Sequence, residues 1–224
     1  MNNKRIYSKV MLFTQLFLVL FLFSCKQEKA DTKYNVLFIA VDDLRTELNC
    51  YGASHIKSPN IDRLASNGVR FSHAYVQEAI CMASRASIMT GLRPERYGIY
   101  TGESVHDMAP DAITMNQMFE QNGYSVSAFG KIYHHGSDHQ EQFGDRHMDP
   151  TEKWAGRGYL TDEAVEQMYF NETHPVDGRN QESRGPAFES ADVPDSAYID
   201  GYNTEHALRK LKNFKKEGNP FFMA

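Results

Sequence analysis

The chain has 224 residues, a formal net charge of -5 and no long basic run. That length allows one sizeable core. The lack of a basic run excludes a surface that tracks a phosphate backbone, so nucleic acid is not an expected partner.

Residues 1–25 read as a leader. Lys4, Arg5 and Lys9 form a basic start, residues 10–23 are apolar apart from Thr14 and Gln15, and Ser24 and Cys25 close the run before Lys26. That pattern describes a secretory signal. With Leu22 three places before Cys25, it resembles a bacterial lipoprotein signal, although Phe23 departs from the usual lipobox. The resemblance implies lipid on Cys25, contact with the membrane through that anchor only, and an exported protein, periplasmic or at the cell surface of a bacterium. A cleaved secretory signal and an uncleaved anchor are the alternatives, although the run is shorter than the roughly 20 residues that span a bilayer. Residues 26–33 form a polar tether that leads into the domain of residues 34–224.

Residues 36–41 form a branched, continuous apolar run that predicts a central strand buried on both faces. It stops at Asp42-Asp43. Ser58 and Pro59 suit a helix start, Ile61, Leu64 and Ala65 share its face, and Gly68 ends it. Residues 69–71 read as a short strand. A second short helix spans residues 84–89 before Thr90-Gly91. A third begins near Thr114 and ends at Gly123, and residues 124–129 form the next strand, with Gly130-Lys131 at its end. Residues 136–196 are polar and irregular, with at most one helix, over 162–169. The last helix starts at Thr204, with Ala207, Leu208, Leu211 and Phe214 as its stripe, and stops at Gly218 before a buried strand at 220–224. Strands alternating with helices predict an α/β fold whose mostly parallel sheet carries helices on both faces.

Three stretches carry chemistry. Asp42 and Asp43 sit at the carboxyl end of a strand, where α/β folds place ligands. Adjacent carboxylates repel, and a hard divalent cation relieves this; an Asp-rich turn is the plainer reading. Cys81 precedes a helix start, with Arg85 one turn inside, and both features favour negative charge at that point. A capped helix with a buried cysteine is the alternative. The third stretch is Gly130-Lys131-Ile132-Tyr133-His134-His135. Cys50 and Cys81 could form a disulfide unless chemistry consumes Cys81.

Cys81-Met82-Ala83-Ser84-Arg85, followed by Thr90-Gly91, resembles the signature of the type I, formylglycine-dependent sulfatases. Asp42-Asp43 after the first strand and Gly130-Lys131 with His134 behind it match the family's neighbouring motifs. The set most resembles the iduronate-2-sulfatase-like branch, within an alkaline-phosphatase-like fold. Ala83 stands where proline is the commoner residue of the signature.

The resemblance implies that a separate maturase oxidises Cys81 to Cα-formylglycine. The hydrated aldehyde would attack the sulfur of a sulfate ester and then expel sulfate through its second hydroxyl, which serine or cysteine lacks. It implies Asp42, Asp43 and the modified Cys81 as ligands of one Ca2+. Arg85 would stabilise the diol oxygen, Lys131 bridge sulfate and nucleophile, and His134 orient the diol or take a proton, with His135 as its competitor. The implied substrate is a sulfated carbohydrate, with glycosaminoglycan-derived uronic acids as candidates. Phosphate or phosphonate ester hydrolysis and a non-catalytic glycan-binding lipoprotein are the other readings. Two aspartates and a diol fall short of the six to eight oxygens Ca2+ takes, so these 224 residues alone are expected to be inactive.

Overall fold

The structure is a computed structural model and describes residues 32–100, 103–134, 145–147, 158–174 and 185–224. The chain divides into two units, Met1–Tyr34 and Asn35–Ala224, and the sheet and all the described helices belong to the second. The leader with Cys25, most of the tether, and His135 lie outside the described residues.

Among the described residues four strands form one sheet: β1 (Val36–Leu37), β2 (Ser125–Phe129), β3 (Asp145–His147) and β4 (Phe221–Met223), in the order β1-β4-β2-β3. Every pairing is parallel, with Val36 opposite Phe222, Val126 opposite Phe222, and Ser127 opposite Asp145. The helices are α1 (Pro59–Asn67), α2 (Cys81–Thr90), α3 (Pro94–Tyr97), α4 (Val105–Met108), α5 (Met115–Gln121), α6 (Asp162–Thr173) and α7 (Ile199–Glu217).

Both faces of the sheet are covered, as two adjacent rings of β4 show. Successive residues of a strand point to opposite faces. Phe222 stacks on Phe119 of α5, with ring centroids 4.4 Å apart. Phe221 stacks on Phe214 of α7, at 4.8 Å. The α5 side holds the main core, in which Met89, Ala128, Ile132, Tyr133 and Phe222 are buried together.

Several local expectations need correction. The run after Asn35 yields only the two-residue β1, at a sheet edge, with Phe38 N–H adding one bond to the Met223 carbonyl at 2.8 Å. Leu37, Ile39 and Val41 are at least half exposed, because β1 has a strand neighbour on one side only among the described residues. Residues 69–71 form no strand.

Ser58 does not cap α1. Its hydroxyl instead accepts from Asn49 N–H and donates to Asp62, which also accepts from the Asn49 side chain and Cys50 N–H. Burial pushes the Asp62 carboxyl up, but those bonds outweigh it and hold the carboxyl below its usual range. The last helix starts at Ile199 rather than Thr204. Its Gly201 packs so closely on the preceding 3-10 turn (Asp195–Ala197) that a Cβ would lie 1.8 Å from the Asp195 carbonyl oxygen. The short strand β3 arises within the stretch read as irregular, because parallel backbone pairing with β2 needs no apolar pattern.

Candidate anion and metal site

The site collects where β1, β2 and α2 end or begin. After β1 the backbone turns at Asp42 and Asp43, and Asp43 and Arg45 take left-handed φ of 53° and 57°. After β2 it turns at Gly130, whose φ of 67° favours glycine, and then presents residues 131–134. Lys131 and His134 are exposed on this turn, while Ile132 and Tyr133 between them are buried.

Helix α2 starts at Cys81 itself, not after it. Its N-cap is Ile80, whose side chain cannot accept a hydrogen bond, and its first intrahelical bond runs from Ser84 N–H to the Ile80 carbonyl at 2.9 Å. The positive end of the helix at Cys81 therefore has no cap from the side chain of its N-cap residue. The helix is buried at Met82, Ala83, Arg85, Ala86, Ser87 and Met89. Cys81 is half-buried, and both it and Cys50 are free thiols, so the structure contains no disulfide between them.

Arg85 lies four residues after Cys81, on the same helical face. Its side chain is only 9% exposed. Nη1 donates to the Lys131 carbonyl at 2.5 Å and to the Ile132 carbonyl at 3.2 Å, and Nη2 donates to Asp42 Oδ1 at 2.8 Å. Nε is buried without a partner. Lys131 Nζ donates to Asp42 Oδ2 at 2.6 Å. Asp42 thus has one cation on each oxygen. The Lys131 bond first, then the Arg85 bond, hold its carboxyl below the usual range against a smaller upward push from burial.

Asp42, Arg85 and Lys131 therefore meet in one hydrogen-bonded cluster. Asp43 and Cys81 do not join its hydrogen bonds, and His134 stands at the exposed end of the same turn. No three His, Cys, Asp or Glu side chains among the described residues converge into a metal cage. The expected set of Asp42, Asp43 and Cys81 therefore makes no cage in this geometry, since both oxygens of Asp42 point at cationic nitrogens. The donor type still fits a hard cation, because Asp42 and Asp43 offer carboxylate oxygens. Sequence reasoning missed the two backbone carbonyls held by Arg85, for which a sequence carries no signal. It also missed the buried bond from the Tyr133 hydroxyl to Asn116 Oδ1, 2.7 Å long.

A parallel, doubly covered α/β sheet with a charged cluster at its strand carboxyl ends is an α/β fold with its charged groups where such folds place ligands. The sulfatase family model matches residues 34–224, and the chain belongs to the sulfatase family. Iduronate 2-sulfatase of Mus musculus is 35% identical over 199 residues, covering 85% of this chain and 34% of that protein. N-acetylgalactosamine-6-O-sulfatase of Bacteroides thetaiotaomicron is 39% identical over 103 residues, covering 44% and 20%. The chain thus spans about a third of the length of the iduronate 2-sulfatases it matches. In fold it is similar to Ps i-CgsB (TM-score 0.60, 24% identity, 86% of this chain and 44% of that one). It is also similar in fold to a phosphonate monoester hydrolase of Agrobacterium radiobacter (TM-score 0.54, 18% identity, 85% and 40%).

Proposed function

We propose that the full-length protein hydrolyses sulfate esters of sulfated sugars, with glycosaminoglycan-derived uronic acids the first substrates to test, through a formylglycine made from Cys81 by a maturase. The observation that carries this reading is the meeting of Asp42, Arg85 and Lys131, with Arg85 one turn from Cys81 on the same helix. The relatedness to iduronate 2-sulfatase supports the substrate class.

Each residue has a physical task. Asp42 and Asp43 would hold Ca2+, with the modified Cys81 as a further ligand and the remaining oxygens coming from elsewhere in the protein. When present, the two groups supply a paired-hydroxyl nucleophile and a positive charge beside it. The two carboxylates and the two cations of Asp42, Asp43, Arg85 and Lys131 cancel in charge, so a bound dication leaves a positive surplus for an anionic ester. The positive end of α2 adds to that field at Cys81. Arg85 is locked by two backbone carbonyls and so holds its charge in place without reorganising. Lys131, on an exposed turn, has the reach to hold the ester's anionic oxygens. His134 is the residue of this turn suited to carry a proton near neutral pH. The leader adds a location: an exported lipoprotein anchored through Cys25.

Peptide mass analysis of Cys81 in protein from the native host tests the central step. Conversion of the thiol-bearing carbon to an aldehyde is expected, and an intact thiol there would refute it. Parallel assays on aryl sulfate and aryl phosphate esters test the choice of anion, since the same charges suit a phosphate or phosphonate. Faster phosphate turnover would overturn the sulfatase reading.

A further inference from the structure

The turn that carries Lys131 and His134 is fastened by more than the charged cluster. Tyr133 sits between those two residues and points the other way. Its ring is buried with Met89 of α2, Ala128 of β2 and Phe222 of β4. Its hydroxyl crosses to α5 and donates to Asn116 Oδ1 at 2.7 Å, and Asn116 is 0% exposed.

Asn116 is itself held at the first turn of α5. Thr114 and Gln117 form a reciprocal capping box around it, and Thr114 is also fully buried. A buried hydrogen bond of this kind has a narrow range of geometries, because both groups are packed and its loss is not made good by bulk water. The opposite side of the turn is held by Arg85, through the Lys131 and Ile132 carbonyls.

We propose that Asn116 is a positioning residue: through Tyr133 it sets the 131–134 turn, and with it the placement of Lys131 and His134. This rests on the sulfatase reading for what those two residues do, but not for how the turn is held. Arg85 fixes the turn's backbone from the α2 side, and Asn116 fixes it from the α5 side. The turn is therefore clamped between the helix that bears Cys81 and a helix that bears no residue of the charged cluster.

The test uses the full-length protein with Tyr133→Phe, Asn116→Leu and the double variant. Three quantities are read: melting temperature, the acylation rate of Lys131 followed by peptide mass, and kcat and KM on an aryl sulfate. Each single variant is expected to lower the melting temperature and to raise Lys131 acylation several-fold, because a looser turn frees the ammonium from Asp42. Each is also expected to lower kcat about tenfold with KM within about twofold, the signature of misplacement rather than lost binding. The double variant loses the shared bond only once, so its fall in melting temperature is expected to be smaller than the sum of the two single falls, while acylation stays fast and kcat stays low. Wild-type acylation and kcat in the double variant overturn the proposal, as do single variants with unchanged Lys131 acylation. A wild-type protein that turns over no sulfate ester sinks the sulfatase reading alone, because Lys131 acylation still reports the turn.

Discussion

Replacing Arg85 with alanine withdraws one guanidinium from three acceptors at once. Two are the Lys131 and Ile132 carbonyls, at 2.5 and 3.2 Å. The Ile132 bond is buried and the Lys131 bond part-buried; losing a charged donor costs about 1–3 kcal/mol at a buried acceptor and less at a wetter one. The third is Asp42, whose side chain is 41% exposed, so that ion pair contributes only about 0.2–1 kcal/mol. With the void left by a side chain 9% exposed, the expected loss is about 3–5 kcal/mol, most of it from the two carbonyl bonds and the void rather than from the ion pair.

Lys131→Ala is the control, since its ion pair joins side chains 43% and 41% exposed, and it should cost below about 1 kcal/mol. Arg85→Lys keeps the charge but not the fork, and should fall between the two. The assay is guanidinium-induced unfolding of the full-length protein followed by circular dichroism. An Arg85→Ala loss under about 1 kcal/mol, or a Lys131→Ala loss equal to it, would refute the view that the carbonyl bonds dominate.

Three further outcomes are expected. The folded-state carboxyl of Asp42 lies below its unfolded value, held there by Lys131 and then Arg85. Its stabilisation is therefore complete above the ordinary carboxylate range and is lost as the pH falls through the lower folded value. The stability gap between wild type and Asp42→Asn should close on acidification below about pH 4, and a gap constant with pH would contradict the shift. Gly201→Ala should destabilise by about 2 kcal/mol or more although alanine is the better helix former, because the new Cβ meets the Asp195 carbonyl oxygen at 1.8 Å; a neutral melting curve would rule out that close approach. Lys131→Met should bind Ca2+ about two- to fivefold more tightly by calorimetry, because it removes a cation from Asp42 Oδ2 while keeping the side chain's length; weaker binding would argue against Asp42 as a ligand.

Where local rules decide, the sequence was readable. Thr114 and Gly123 bracket α5 because a capping residue and a left-handed glycine act within one turn of the chain. The strand expected before Gly130, with serines at 125 and 127, formed as β2 because it has strands on both sides. The more apolar run after Asn35 gave only two strand residues, since an apolar pattern reports a preference for burial and not the presence of a neighbour. The start of α7 was missed because Asp200 and Gly201 are poor helix formers, and what keeps them helical is the approach of the 195–197 turn.

The site shows the same division, with its parts legible and its assembly not. Asp42, Arg85 and Lys131 each announce themselves in short motifs, yet the ion pair joins residues 89 apart in the chain. Strand order makes that contact possible. All strands are parallel, so β1 and β2 both deliver their carboxyl ends to one edge of the sheet. They are not adjacent, because β4 lies between them, and two strand spacings put those ends roughly 10 Å apart. Aspartate and lysine side chains span that gap from its two sides, and Arg85 enters it from α2. The spacer is Phe221–Met223, the last strand in chain order. The distance between Asp42 and Lys131 is therefore set by a segment some ninety residues beyond Lys131. No window drawn around either motif contains that information, and the charged cluster reaches this geometry only once β4 has been inserted between the two strands that carry it.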